Sequence, residues 1–328
     1  MIEAKRHMVT PDEAGMRLDR WFKLHFPQVT FAYLNKLTRT GQVRVGTARV
    51  KTSTRLAAAQ EIRVPPLAFD KRPADTPKED VKPLTREERR LFDSMIIHED
   101  NDLYVLNKPS GFAVQGGSKT HHHLDGLLMG LAVELGERPL LVHRLDRDTS
   151  GVIVVARRRA VASAVGKLFA TRVVKKTYWA AVKGVPKPAQ GRIDVALVKA
   201  KGPDGDRMRP SGAGEEDDEQ HAVTNYSVIA KASGIVAWVS LKPVTGRQHQ
   251  LRAHMAHIGT PILGDEKYGG NLDMPDGVSK RLHLHARRVV FPHPRGGTVD
   301  VTAPLPQHML ETWKLFGFDP GRYDKDAE

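Results

Sequence analysis

The sequence contains no cysteine, which excludes disulfides, thiolate metal sites and cysteine nucleophiles. Aromatic residues are scarce, at 6% of 328 residues, so aliphatic side chains must fill most of any core. No run approaches the roughly 18 apolar residues of a membrane helix. The segment Met1–Gly15 lacks the apolar stretch of a secretory leader. These absences give the expectation of a cytoplasmic, monomeric protein with no membrane association. Acidic residues are outnumbered as well: 38 Asp and Glu against 51 Lys and Arg leave a formal charge of +13 and a pI near 9.9. A chain this basic is drawn to polyanions, because neutralising phosphates releases counterions. Nucleic acid is therefore the expected partner, although such residues also serve solubility.

The length allows two domains, and 40% hydrophobic residues can build a sizeable core. Residues 1–65 carry 12 Lys and Arg against 5 Asp and Glu, over half of the positive excess. There Arg17–Phe22 starts an amphipathic helix that Pro27 limits. Phe31–Thr40 reads as a second helix, with Leu34 and Leu37 on one face and Gly41 as its stop. Val43–Val45, Ala48–Lys51 and Glu61–Pro65 alternate as strands do. Lys36, Arg39, Arg44, Arg49 and Lys51 cluster around the helix-to-hairpin junction, a pattern suited to holding phosphates; a solvated helix face is the plainer account. The first domain is placed at 1–66. Residues 67–92, rich in proline and charge, read as a flexible linker, and 199–221 as a flexible insertion between two strands. One α+β domain is expected over 93–318, with 319–328 as a tail. Its suggested strands, Arg192–Val198 among them, do not alternate strictly with its suggested helices, which include Ala160–Thr171 and Gln307–Phe316, and this argues against a doubly wound parallel sheet.

The densest polar cluster is His143–Gly151, set before the apolar run Val152–Val155. From its residues alone it is either a catalytic loop on a core strand or a turn with solvated charges. Asp146-Arg147-Asp148 also has the Asp-x-Asp form of some metal-dependent glycosyltransferases, a reading that predicts chelator sensitivity. That reading leaves the basic N-terminal segment unexplained, and no metal site is expected in the chain. His121, His122 and His123 lack completing carboxylates and read as a loop at the edge of a site or facing RNA. His249, His254 and His257 are spaced five and three apart, not the four of helical zinc ligands. Gly116-Gly117-Ser118 is too short for a phosphate loop. A helix is expected over Gly246–Ile258, with Leu251, Met255 and Ile258 on its apolar face and Gln248 and Arg252 along the border.

The run HRLDRDTSG at 143–151 resembles the catalytic signature of the RluA-type pseudouridine synthases, in particular their RluC/RluD branch. Further blocks match in order: Asn107–Gly111, Gln115–Gly117 (with glutamine where the family has histidine), Lys176-Thr177-Tyr178, Pro243–Asp265 and Leu284-His285-Ala286. Near the start, RLDRWF, KLTRTGQVRV and EIRVP resemble an S4-type RNA-binding domain. The resemblance implies an α+β catalytic domain on a mixed, mostly antiparallel sheet, acting on uridines of large-subunit ribosomal RNA without a cofactor. It implies that Asp146 is essential, that Arg252 pairs with it and that Tyr178 stacks on the target uracil. Leu284 would close the apolar wall, and Arg144 would fill the space a flipped base vacates. Independently of the resemblance, Arg247 at the helix start is placed to contact RNA phosphate, and His143 is grouped with the substrate-binding residues. The chemistry is consistent with this. Pseudouridylation breaks N1–C1′, turns the uracil and rejoins it through C5, so the product is an isomer and no redox agent is required. Burial disfavours a charged carboxylate, so a neighbouring cation is needed. Extracting the base from RNA costs a few kcal/mol. A non-catalytic RNA-binding assembly factor would explain the charge but not the ordered motifs.

Overall fold

A computed structural model describes residues 4–67, 82–116, 122–202, 205–212, 219–270 and 274–323. The chain forms two units, Met1–Asp80 and Val81–Glu328.

In the first unit, β1 (Lys5–Met8) leads to α1 (Leu18–His25) and α2 (Phe31–Arg39). These are followed by β2 (Arg44–Val45), β3 (Ala48–Arg49) and β4 (Glu61–Val64). Leu18, Trp21 and Phe22 of α1 share one helical face, as do Leu34 and Leu37 of α2. Both faces are buried with Val45, Ile62 and Val64. Thr30 caps α2, its hydroxyl accepting from the Tyr33 amide at 3.2 Å. The strands form an antiparallel sheet in the order β1-β4-β2-β3.

The second unit begins with α3 (Arg86–Met95), β5 (Ile96–Glu99) and β6 (Leu103–Lys108). Next come α4 (Leu124–Leu135), β7 (Leu140–Leu141), β8 (Ser150–Ala156) and α5 (Arg159–Phe169). Then follow β9 (Lys175–Lys183), β10 (Gln190–Asp194), β11 (Leu197–Gly202), β12 (Gly205–Pro210), β13 (Val223–Ala232) and β14 (Val236–Pro243). The unit closes with α6 (Gln250–His257), β15 (Leu284–Pro292), β16 (Thr298–Thr302), α7 (Gln307–Phe316) and α8 (Pro320–Tyr323). Its main sheet runs β10-β13-β14-β9-β15-β8-β6-β5, with β16 on β15 and β7 on β8. The β15–β8 pairing is parallel and the others are antiparallel, so the sheet is mixed and mostly antiparallel. One core packs Phe92, Leu128 and Val165 of the helices on β6 and β8; a second packs Leu251 and Met255 of α6 on β9 and β14. Tyr178 packs against both.

Several sequence expectations need correction. The expected linker at 67–92 is helical from Arg86, because Thr85 and Glu88 form a capping box and Phe92 and Met95 are buried; residues 68–81 lie outside those described. The expected flexible insertion at 199–221 contains an antiparallel strand pair, β11 on β12, while residues 203–204 and 213–218 lie outside those described. Leu197 and Met208 are buried in it against Ala253 of α6. The expected tail from 319 carries α8, with Tyr323 edge-on to Trp238 at 5.1 Å. The expected strand Arg192–Val198 is divided between β10 and β11.

Candidate active site

The loop between β7 and β8 carries Asp146, and its shape follows from the groups around it. Lys108, at the end of β6, is fully buried; its ammonium donates to the carbonyls of Pro109, Phe112 and Arg147, each at 2.8 Å. Burial pushes this amine down to about 7, against the charges of Asp148 and Asp146. Three carbonyl acceptors match the three hydrogens that only the charged form carries, so the geometry holds an ammonium there. The Ser110 hydroxyl donates to the Asp148 carbonyl at 2.8 Å and the Gly111 amide to that of Arg147 at 3.0 Å. At the loop's start, His143 stacks on Phe169 at 4.3 Å and accepts at Nε2 from the Val154 amide at 2.9 Å. Burial pushes this imidazole down to about 3, so it stays neutral, as an acceptor must. At its end, Gly151 has φ +106° and pairs with Ala286, whose carbonyl oxygen would lie 2.2 Å from any Cβ there. A side chain at 151 would force β8 and β15 apart.

Asp146 lies in a cleft of about 580 Å3 whose wall also includes Arg144, Lys176, Tyr178, His249, Arg252 and Leu284. Its carboxylate is 25% exposed and stands between two nitrogens. Arg252 NH1 is 3.7 Å from Oδ2, and His249 Nε2 is 3.9 Å from Oδ1. Arg252 is itself buried, and its strongest bonds go elsewhere: Nε and NH2 each donate to Asp265 at 2.7 Å. Burial alone would lower the guanidinium pKa, but the bonds and charge of Asp265 hold it above its ordinary value. Asp265, also buried, accepts from the Lys267 and Tyr268 amides at 3.0 and 3.1 Å. The phenol of Tyr178, on β9, is pushed above its usual value by burial and then by the charge of Asp146, so it remains protonated. Lys176 is lowered by burial. Leu284 of β15 is buried in the cleft wall.

Helix α6 enters this site through an unusual start. Gln250 accepts from the Arg247 amide and the Thr245 hydroxyl, and donates to Val223 and Thr224, tying the helix to β13. The preceding residue, His249, takes left-handed angles, φ +50° and ψ 17°. A non-glycine residue there is strained, a condition that clusters at functional sites. The helix is shorter than expected, and Gln248 is exposed outside it. Arg252 is buried rather than at a border, because Asp265 and Asp146 give a guanidinium polar partners in the interior.

The family profile described as RNA pseudouridylate synthase matches residues 102–257. The chain is 34% identical over 307 residues to ribosomal large subunit pseudouridine synthase C of Escherichia coli, covering 90% of this chain and 92% of that one. It is 33% identical over 308 residues to the protein of the same name from Vibrio parahaemolyticus, covering 90% and 91%. The chain belongs to the RNA pseudouridylate synthase family. It is thus an RNA uridine isomerase of the RluA type. Among solved structures, human RNA pseudouridylate synthase domain containing 4 superposes with a TM-score of 0.60 at 30% identity, over 71% of this chain and 98% of that one.

Set in this pseudouridine synthase fold, Asp146, Tyr178, Arg252 and Leu284 meet in one cleft, with Arg144 and Arg247 exposed at its rim. Arg247 Nε donates to the His221 carbonyl at 3.0 Å. His143 also lines the cleft, but its Nε2 is committed to Val154, so its main contribution is to hold the loop. Sequence reasoning missed Asp265, His249 as a neighbour of Asp146, and the role of Lys108. His123 caps α4, its Nδ1 accepting from Gly126 at 2.9 Å, while His121 lies outside the described residues. His254 points away from the cleft to Thr224 and Val195. Among the described residues no group of three or more His, Asp or Glu side chains is arranged as a metal site. In the first unit Lys36, Arg39, Arg49 and Lys51 are exposed. Arg44 is half-buried, and donates to the Gly41 and Thr47 carbonyls at 3.1 Å each.

Proposed function

We propose that this enzyme isomerises specific uridines of large-subunit ribosomal RNA, with Asp146 as its essential group and no cofactor. The observation that supports this most directly is one carboxylate, between Arg252 and His249, facing Tyr178 and Leu284 in a cleft of nucleoside size. Relatives that share most of the chain's length are named as large-subunit ribosomal enzymes. The target uridine is flipped from its stack, and Arg144 at the rim takes the vacated space. Tyr178 offers the flat face of its ring to the uracil, with Leu284 behind it. Asp146 serves the exchange at C1′, where the bond to N1 breaks and the bond to C5 forms. C5 then loses its proton and N1 gains one, so atoms balance without an external reagent. The first unit acts as an S4-type RNA-binding domain, its exposed lysines and arginines neutralising phosphates to offset the cost of flipping.

The test is chemical mapping of pseudouridine in large-subunit ribosomal RNA incubated with wild-type protein or Asp146→Asn, with chelator present. New pseudouridines with wild type alone are the expected result. No product with wild type, on naked or precursor RNA, would refute the substrate; product with Asp146→Asn would refute the role of the carboxylate.

A further inference from the structure

The register of the first sheet places four arginines in one row. Arg6 of β1 pairs with Arg63 of β4, Arg63 with Arg44 of β2, and Arg44 with Arg49 of β3. Directly opposed residues share a face, and this face is the outer one: Arg6, Arg49 and Arg63 are exposed, while Ile62 and Val64 alternate into the core. Strands lie about 4.8 Å apart, so the row extends roughly 14 Å across the whole sheet. Like charges directly opposed destabilise a sheet. Compensation within the protein is slight. Arg6 meets Glu61 at 3.2 Å on the surface, Arg44 braces carbonyls, and Arg49 and Arg63 find no carboxylate among the described residues. We infer that this row is a phosphate-binding track for an RNA strand crossing the sheet. The inference rests on the RNA-modifying reading above and adds the sheet face, with Arg6 and Arg63, to the helix-and-hairpin cations.

The test compares full-length wild type with Arg6→Gln/Arg63→Gln for binding to a large-subunit ribosomal RNA transcript across a salt series. Two lost phosphate contacts should reduce the slope of log affinity on log salt by about 1.4 to 1.8 and weaken binding about tenfold or more at low salt. The variant should melt no lower than wild type, because repulsion has been removed, which separates lost binding from lost folding. An unchanged slope and affinity in the variant, with wild type salt-dependent, would overturn the track alone. Salt-independent wild-type binding would overturn the RNA reading with it.

A separate observation concerns the hairpin that the sequence left without a role. The Met208 amide of β12 donates to the Tyr268 hydroxyl at 2.8 Å, and that hydroxyl lies 3.0 Å from His249 Nδ1. The oxygen already accepts from an amide, so its single proton is free to be donated, and His249 Nδ1 is its acceptor among the described residues. His249 is then the Nε2–H tautomer, with that proton directed at Asp146 Oδ1 3.9 Å away. The geometry points to Tyr268 as a positioning residue that fixes the tautomer of His249 and through it one oxygen of Asp146, while Arg252 holds the other. Hairpin β11–β12 anchors this chain at its outer end.

Nitrogen-15 spectra of histidine-labelled wild type should show His249 with Nδ1 unprotonated and Nε2 protonated. In Tyr268→Phe that preference should be lost, and kcat on ribosomal RNA should fall on the order of 10- to 100-fold with KM unchanged. A wild-type His249 protonated at Nδ1, or a Tyr268→Phe enzyme with wild-type tautomer and turnover, would overturn the assignment. The spectra do not depend on turnover, so failure of the ribosomal substrate would be seen separately.

Discussion

Removing Arg252 should separate the stability of the site from its chemistry. The guanidinium is bound to Asp265 by two bonds of 2.7 Å, and both residues are buried. Breaking a buried pair from one side costs about 3–5 kcal/mol, because the remaining charge is left without a partner. In Arg252→Met, Asp265 would keep only the Lys267 and Tyr268 amides. For a domain of this size each kcal/mol moves the midpoint by about 2–4 °C, so a fall of roughly 6–20 °C is expected. Adding Asp265→Asn removes the stranded charge and keeps an oxygen for the two amides. The double variant should therefore recover about 2 kcal/mol or more, seen as non-additivity in a thermodynamic cycle. Turnover should not recover. NH1 stands 3.7 Å from Asp146, and at an effective dielectric near 20 that pair is worth at most about 4.5 kcal/mol. Asp146 is partly solvated, so about 1.4–2.7 kcal/mol is the working expectation, a ten- to hundredfold loss of kcat. The assay is tritium release from RNA carrying C5-tritiated uridine, at saturating RNA and below the reduced midpoint. Recovery of turnover in the double variant would refute the role of Arg252 at Asp146, and additive stability losses would refute the pairing with Asp265.

Lys108→Met should lower kcat about tenfold or more with little change in RNA affinity, because the carbonyls of Pro109, Phe112 and Arg147 lose their common donor; wild-type turnover would show that the loop holds its shape without it. Gly151→Ala should cost at least about 3 kcal/mol in urea denaturation, combining a left-handed backbone with a contact of 2.2 Å; a near-neutral effect would contradict the close approach of β8 to β15. Acid should destabilise the fold through its buried neutral histidines. Burial depresses His143 and His285 to about 3 and His283 to about 4, below the ordinary 6.5, so unfolded imidazoles take up protons that the native ones refuse. Stability is then full above about pH 6.5 and falls as the pH drops towards 4, by about 1.4 kcal/mol per unit for each group. Urea melts between pH 7.5 and 5 should show this slope, and His143→Leu should flatten it whatever its effect at neutral pH.

The sequence carried the local features well and the long-range ones poorly. Helix α7 is legible to its last residue because Pro306 and Gly317 bracket one apolar period. Helix α3 has its signals too, in Thr85, Glu88, Phe92 and Met95, but the surrounding charge and proline are those of a linker. Helix α4 gave no such signal. Its residues are apolar on nearly every side, its cap is a histidine, and Gly126 and Gly130 argue against a helix. Glycine at 130 leaves room for Leu84, whose Cδ2 would lie 2.5 Å from a side-chain carbon there and would have to shift. The Asp146 loop stood out because working charges were packed before an apolar strand. Asp265 did not stand out, since a carboxylate after a glycine looks like any turn until the fold brings Arg252 to it. The spacing of His249 excludes a helical zinc site and leaves helix packing or RNA contact, whereas its place beside Asp146 depends on a strained backbone that no periodicity reports.

The arginine row shows the limit most clearly. Arg6 and Arg63 lie at opposite ends of the first unit, and each is unremarkable in its own strand. A shift of one residue in the β1–β4 pairing would send one of them to the core side and dissolve the row. The alternation of Ile62 and Val64 with Arg63 keeps Arg63 outward, and His7, edge-on to Trp21 and Phe26, keeps its neighbour Arg6 on the same outer face. The same apolar pattern that builds the core therefore fixes the register, and the register sets the charge surface. If RNA binding proves to depend on Arg6 and Arg63 together, the affinity of this unit will trace to strand pairing and not to the count of its basic residues.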